Sequence, residues 1–188
     1  FRSFFEQILK NLYTKHPYRW GVIGSLDHLA SATLEDFKKF NQTYYVPNNA
    51  ALVISGNVGG ADAFALANEI FGPWTRGADP FAGDLIPKHP PIASINSFVL
   101  HKDVQVPIVM FSWHGPSVGD DPRSTYASDV LSYILGQPSS RFQKALVDSG
   151  ITLGAGVSYY TQAQTGPISL TAQVRAEKLE EAVPTLLA

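Results

Sequence analysis

Cysteine is absent from this chain of 188 residues. Its absence excludes disulfides and thiolate metal sites and leaves the compartment open, with bacterial periplasm and cytoplasm both compatible with a soluble chain. Charge is sparse: 14 basic and 16 acidic residues give a formal net charge of −2, and no basic block stands anywhere. Nucleic acid and an anionic membrane surface are therefore not expected partners. No run of about 18 apolar residues occurs, so nothing reads as a membrane span. No N-terminal signal pattern is present. Phe1 and Ala188 both stand inside stretches that read as helix, so the chain is expected to be a piece of a longer protein.

Motifs that carry chemistry are also missing. The five histidines are His16, His28, His89, His101 and His114. No two are four apart, and no Glu lies inside a His pair in either order, so the helical His-x-x-Glu-His zinc site is absent. Gly-x-Ser-x-Gly, the phosphate-cradling loop with Lys-Ser/Thr and the dinucleotide fingerprint are absent too. Gly56–Gly60 reads as a turn between a strand and a helix. Asp120-Asp121 reads as a helix start because Pro122 follows. His101, Asp103 and His114 could meet only through the fold. The plainer reading leaves His101 and His114 at strand ends, His16 in a turn beside Tyr18, and His89 solvated in a Pro-rich loop.

What is present is ordinary for a globular protein: 45% apolar and 16% charged residues. The length suits one domain with a good core, or one domain plus an extra element. Residues 1–13 read as a helix with Phe4, Phe5, Ile8 and Leu12 on one face. Trp20 to Ser31 reads as a connecting segment. Thr33 is an N-cap with Asp36 three residues on, and Leu34, Phe37, Phe40 and Tyr44 make an apolar helix face. Pro47 stops that helix, Asn48-Asn49 turns the chain, and 50–55 reads as a strand covered on both faces. A helix over 61–71 and a loop over 76–91 follow. Strands are expected at 97–102 and 107–114, as antiparallel neighbours. Asp121-Pro122 opens a helix, Ser139 caps another, and Gly150 stops it. Strands at 153–162 and 168–174 and a helix at 177–187 complete the chain. In the first of these strands Leu153, Ala155, Val157 and Tyr159 suit a core, while Gly154, Gly156, Ser158 and Tyr160 suit a wet face. Strands flanked by helices predict an α+β two-layer sandwich.

Two stretches carry a family resemblance. His16-Pro17-Tyr18, Gly24-Ser25, Tyr45-Val46-Pro47-Asn48-Asn49-Ala50 and Gly56 resemble, in order, a segment of the pitrilysin/insulinase-type zinc metallopeptidase family. Trp113-His114-Gly115-Pro116, Asp120-Asp121 and the run from Leu131 to Ile151, with Ser139-Ser140-Arg141-Phe142 at a helix start, resemble the second, non-zinc, catalytically inactive domain of such a zinc protease. Val147 or Asp148 stands where family members often place Arg, and Leu153 stands near the usual Tyr.

The resemblance implies a mostly antiparallel sheet with helices on one face, as in mitochondrial-processing-peptidase-like half-domains. It implies a helical tail of a preceding domain or linker over 1–19 and an inactive peptidase domain over 20–188, cut short at its C-terminal end. It implies no cofactor in this chain and zinc in a partner domain or subunit. The chain alone is then not an enzyme but part of a zinc-dependent metalloendopeptidase. It would pair with the zinc-bearing half to enclose and position a peptide substrate. The alternative is a structural or binding subunit of a larger complex without peptidase activity. Arg141, Phe142 and Tyr160 are the candidate substrate or interface residues. Arg141 offers a guanidinium fork, against the plainer reading of a helix-start salt bridge or a stacked surface arginine. No catalytic or metal residue is assigned.

Overall fold

The structure is a computed structural model and describes residues 2–83 and 86–187. Phe1 and Ala188, at the ends of the expected terminal helices, and Asp84-Leu85, inside the expected loop, lie outside the described residues. In chain order the elements are α1 (Arg2–Leu12), α2 (Leu26–Ser31), α3 (Leu34–Tyr44), α4 (Gly60–Phe71), β1 (Ile108–His114), α5 (Pro122–Gly136), α6 (Arg141–Gln143), β2 (Gly154–Tyr159), β3 (Pro167–Gln173) and α7 (Leu179–Leu187). Short 3-10 turns stand at Pro17–Arg19, Pro47–Asn49 and Ala176–Lys178, and a π-turn at Lys144–Asp148 continues α6. The chain falls into two compact units, residues 1–20 with 87–188, and residues 21–86.

The first unit is built on a three-stranded antiparallel sheet in the order β1-β3-β2. Register sorts the side chains into two faces, because successive residues of a strand point opposite ways. Phe111, Leu170 and Val157 stand level across the three strands, as do Val109, Ala172 and Ala155. Those rows pack with Leu146, Val174, Ala182 and Leu186, and with Phe142, Ile151 and Leu179. Helix α7 and the turn after α6 therefore supply the second layer of an α+β fold, with the core between the layers, and α5 lies against β2, its Thr125 hydroxyl 3.4 Å from that of Tyr159. The opposite face carries a polar row, Ser112, Ser169 and Ser158, in which the first two hydroxyls lie 2.8 Å apart.

Local chemistry explains where these elements begin and end. The carboxylate of Asp121 accepts the backbone N–H of Ser124 at 3.0 Å, and Pro122 occupies the first turn of α5. Ser140, not Ser139, caps α6, its hydroxyl accepting the Gln143 N–H at 3.1 Å. Both serines suit a cap, and the one that reaches the third N–H of the helix does the work. Gly150, at φ +75°, reverses the chain after the π-turn, a conformation that a Cβ disfavours.

The expected strand at 97–102 does not form; that stretch is irregular. Phe98 instead packs edge-on against Phe4 of α1, with ring centroids 6.1 Å apart. The neighbour of β1 is β3, which offers matching apolar and polar rows that 97–102 lacks.

In the second unit α3 opens with the expected capping box. Asp36 N–H donates to the Thr33 hydroxyl at 3.2 Å, and Thr33 N–H donates to the Asp36 carboxylate at 2.9 Å. These bonds hold the Asp36 carboxyl below its usual range. Pro47 ends the helix as expected, and the Asn49 side chain donates to the Tyr44 carbonyl at 2.9 Å. Leu26–Ser31 is a helix where a connector was expected: Ser25 caps it by accepting the His28 N–H. Residues 50–55 form no strand, and Leu52, Val53 and Ile54 are exposed. A strand needs a neighbour for its backbone groups, and no strand stands among the described residues of this unit. Phe37 is 58% exposed, so the expected burial of the α3 face is also corrected.

Candidate functional site

The sheet leaves β2 at an edge. Tyr160 N–H donates to the Pro167 carbonyl at 3.0 Å. In an antiparallel pair that bond makes Ser158 and Gly156 the next residues bonded to β3, so the backbone groups of Ala155, Val157 and Tyr159 point to the outer edge. One is taken: the Ala155 carbonyl accepts the Gln143 side-chain N–H at 2.8 Å. The strand GAGVSY carries neither charge nor proline, the usual devices that blunt an edge.

The three candidate residues stand around this edge in different roles. Arg141 opens α6, is exposed, and makes no ion pair among the described residues; the expected helix-start salt bridge is not made. Phe142 is half-buried and packs against the core cluster, so its ring supports the helix from below. Tyr160 stands at the end of β2 and is 65% exposed. Its neighbour Tyr159 turns inward, donating from its hydroxyl to the Pro116 carbonyl at 2.9 Å. The expected alternation of the two tyrosines is thus what the strand adopts. Ser158 is exposed on the same face as Tyr160. The serine row went unseen in the sequence because it depends on register between strands far apart in the chain. The alternation in 153–160 marked Ser158 alone.

The histidines meet, but not as the sequence indicated. His114 makes its hydrogen bond to the Leu12 carbonyl at 2.7 Å, and its ring contacts Tyr13 and His89. His101 and Asp103 lie exposed in an irregular stretch. His89 is half-buried and hydrogen-bonded rather than solvated: its Nε2 accepts the Thr14 N–H at 2.7 Å. His16 caps the Pro17–Arg19 turn through Nδ1 and lies against Tyr18, as expected. Burial pushes the pKa of His16 and His114 down, with the His89 charge acting the same way; on His114 the Leu12 bond opposes both. Burial raises that of the Tyr13 phenol, with Tyr18 and Tyr159 adding to it. Among the described residues no group of three His, Cys, Asp or Glu side chains could hold a metal ion. Asp120 pairs with Lys88 at 3.2 Å, and Asp121 is the helix cap.

Residues 31–188 match the peptidase M16 inactive-domain family. The zinc protease PqqE of Helicobacter pylori is 30% identical over 182 residues, covering 93% of this chain and 40% of that protein. The chain thus spans about two fifths of the length of this relative. A protease of Helicobacter pylori has a crystal structure that matches at 28% identity with a TM-score of 0.73, over 96% of this chain and 45% of that one. A peptidase M16 inactive domain from Pseudomonas fluorescens shares the fold at 22% identity and a TM-score of 0.75, over 96% of this chain and 43% of that one. An M16-like peptidase of Alicyclobacillus acidocaldarius does so at 22% identity and 0.76, over 99% and 45%. An inactive domain of this family leaves the zinc to its partner domain. The chain belongs to the peptidase M16 family, the pitrilysin/insulinase family, as an inactive domain.

Proposed function

We propose that this chain pairs with a zinc-bearing M16 half and, in the assembled enzyme, lends an open strand edge to an extended peptide substrate. In this reading residues 1–19 are the tail of a preceding domain, laid on β1 through the His114–Leu12 bond, and 20–188 make the inactive domain. The observation that carries the reading is the uncharged, proline-free outer edge of β2, where the backbone groups of Val157 and Tyr159 face outward. Such an edge pairs with an extended backbone whatever its side chains, which suits a peptidase half that must accept many sequences. Arg141, exposed and without an ion pair among the described residues, supplies a fork for a peptide carboxylate. Tyr160 and Ser158 present an aromatic surface and a hydroxyl on the adjoining face. The role is positioning, since holding a peptide before the zinc removes much of the entropy of reaction.

The experiment is a substrate titration of the assembled enzyme carrying Val157→Pro. The substitution removes an outward N–H and leaves the bonds to β3. A raised KM for peptides, with the partner still bound, supports the reading; an unchanged KM removes the edge from it.

A further inference from the structure

Where α1 ends, three imidazoles and two phenols close around one point of the first unit. Tyr13 stacks on His114 with ring centroids 5.5 Å apart, and His89 stands edge-on to both, 5.5 Å from Tyr13 and 4.7 Å from His114. His16 lies 3.9 Å from Tyr18. Tyr13 and His16 are buried almost completely, at 0% and 2% exposure. Hydrogen bonds lock the joint besides the ring contacts. Tyr13 hydroxyl donates to the Thr165 carbonyl at 2.8 Å, and His114 Nε2–H donates to the Leu12 carbonyl at 2.7 Å. Thr14 N–H donates to His89 Nε2 at 2.7 Å, and Tyr18 N–H donates to His16 Nδ1 at 3.1 Å.

The last two bonds differ from the others in what they require. A backbone N–H cannot accept, so His89 Nε2 and His16 Nδ1 must each present a lone pair. His89 Nδ1 lies 2.6 Å from the Pro90 carbonyl and donates to it, which assigns the single proton of the neutral ring to Nδ1. A second proton on either ring has only the accepting nitrogen to go to. There it abolishes the bond and sets N–H against N–H. The His114 bond survives protonation, because Nε2 is already the donor, but its charge then faces His89.

We propose that His16 and His89 form an acid-released latch that holds α1 and the Pro17–Arg19 turn against the end of β1, each by accepting a backbone N–H on a nitrogen that protonation would occupy. The Thr14 hydroxyl, 3.3 Å from His89 Nε2, can accept a proton placed there only as the Thr14 N–H moves away. Burial holds the Tyr13 phenol in its neutral form, and Lys88, next to His89, is paired with Asp120. Arg19 donates to the Thr14 carbonyl at 3.0 Å and lies on Trp20, a fixed positive charge in the same turn. The lowered pKa of His16 and His114 gives the direction. For His16 the released state binds a proton more tightly than the latched one, so its bond is complete above the ordinary histidine pKa of about 6.5 and weakens as pH falls below it.

Amide hydrogen exchange on the whole chain between about pH 7.5 and pH 5 tests this, with intrinsic exchange corrected. Thr14 and Tyr18 amides are expected to lose protection about tenfold or more, while the β1–β3 ladder keeps its protection. Protection of Thr14 and Tyr18 that persists to the lower pH, or a ladder that loses it equally, overturns the proposal. The double variant His16→Asn, His89→Gln places uncharged acceptor oxygens near the same two positions and is expected to stay latched. Acid release that survives in it also overturns the proposal. Where that variant fails to fold, the ring proton shifts of His16 and His89 in the unaltered chain decide: they must move over the same pH interval as the amide loss. Titration of both rings with unchanged amides contradicts the latch.

Discussion

The side chain of Gln143 donates to the Ala155 carbonyl at 2.8 Å, tying the helix opened by Arg141 to the outer edge of β2. It also reaches the Leu135 carbonyl at 3.3 Å, at the end of α5. One amide therefore holds two helices to one strand. Gln143→Ala is expected to leave Ala155 without its partner at a cost of about 1–3 kcal/mol. Urea denaturation of the chain measures it, and a midpoint that stays put would show that the edge does not need this tie.

Core positions of the sheet unit are expected to dominate stability. Leu170 is 7% exposed at the centre of the core cluster, and Leu170→Ala should cost about 2–5 kcal/mol. Phe37, at 58% exposure, should cost under about 1 kcal/mol in this chain when replaced by Ala. The comparison is decisive in one experiment, because the two variants unfold in the same denaturant series.

Asp36 gives a pH-dependent expectation. Its carboxyl is held low by the Thr33 hydroxyl and N–H. A depressed acid contributes stability above its unfolded pKa and loses it as pH falls through the folded value. Asp36→Asn should therefore fray α3 at neutral pH and make no difference once the carboxyl is protonated. Helix content followed by circular dichroism from neutral to acid pH checks this. A deficit that persists in acid would mean that Asp36 acts through something other than its charge.

Arg141 is expected to matter to binding and not to folding. It is exposed and makes no ion pair among the described residues, so Arg141→Ala should shift stability by no more than about 0.5 kcal/mol. Peptide affinity of the assembled enzyme should fall, most for peptides with a carboxylate near the edge. Equal loss for all peptides would assign Arg141 to the partner interface instead.

Local signals were legible where the residues that cause an element stand close together. The Thr33–Asp36 box, the Asp121-Pro122 start and the alternation in β2 were all read from short stretches. What escaped depended on distant partners. The apolar run at 50–55 looked like a buried strand, yet no strand among the described residues of its unit offers it hydrogen bonds. Residues 97–102 hold an apolar run that reads as a strand, but they form none, and Phe98 packs on Phe4. Of the candidate residues, Tyr160 stands outward as its alternation with Tyr159 indicated. Phe142 is half-buried against the core cluster, beside the π-turn that carries Leu146 into it. The histidine joint was invisible, since His16, His89 and His114 approach one another only once α1 lies on β1.

The central claim is that this inactive domain works by completing a zinc-bearing half. The direct measurement is peptidase activity of that half, expressed separately, with and without this chain. Activity that is low alone and rises to saturation as the chain is added is the expected result. Full activity without the chain, unchanged on its addition, would contradict the account and leave a structural or binding subunit in its place.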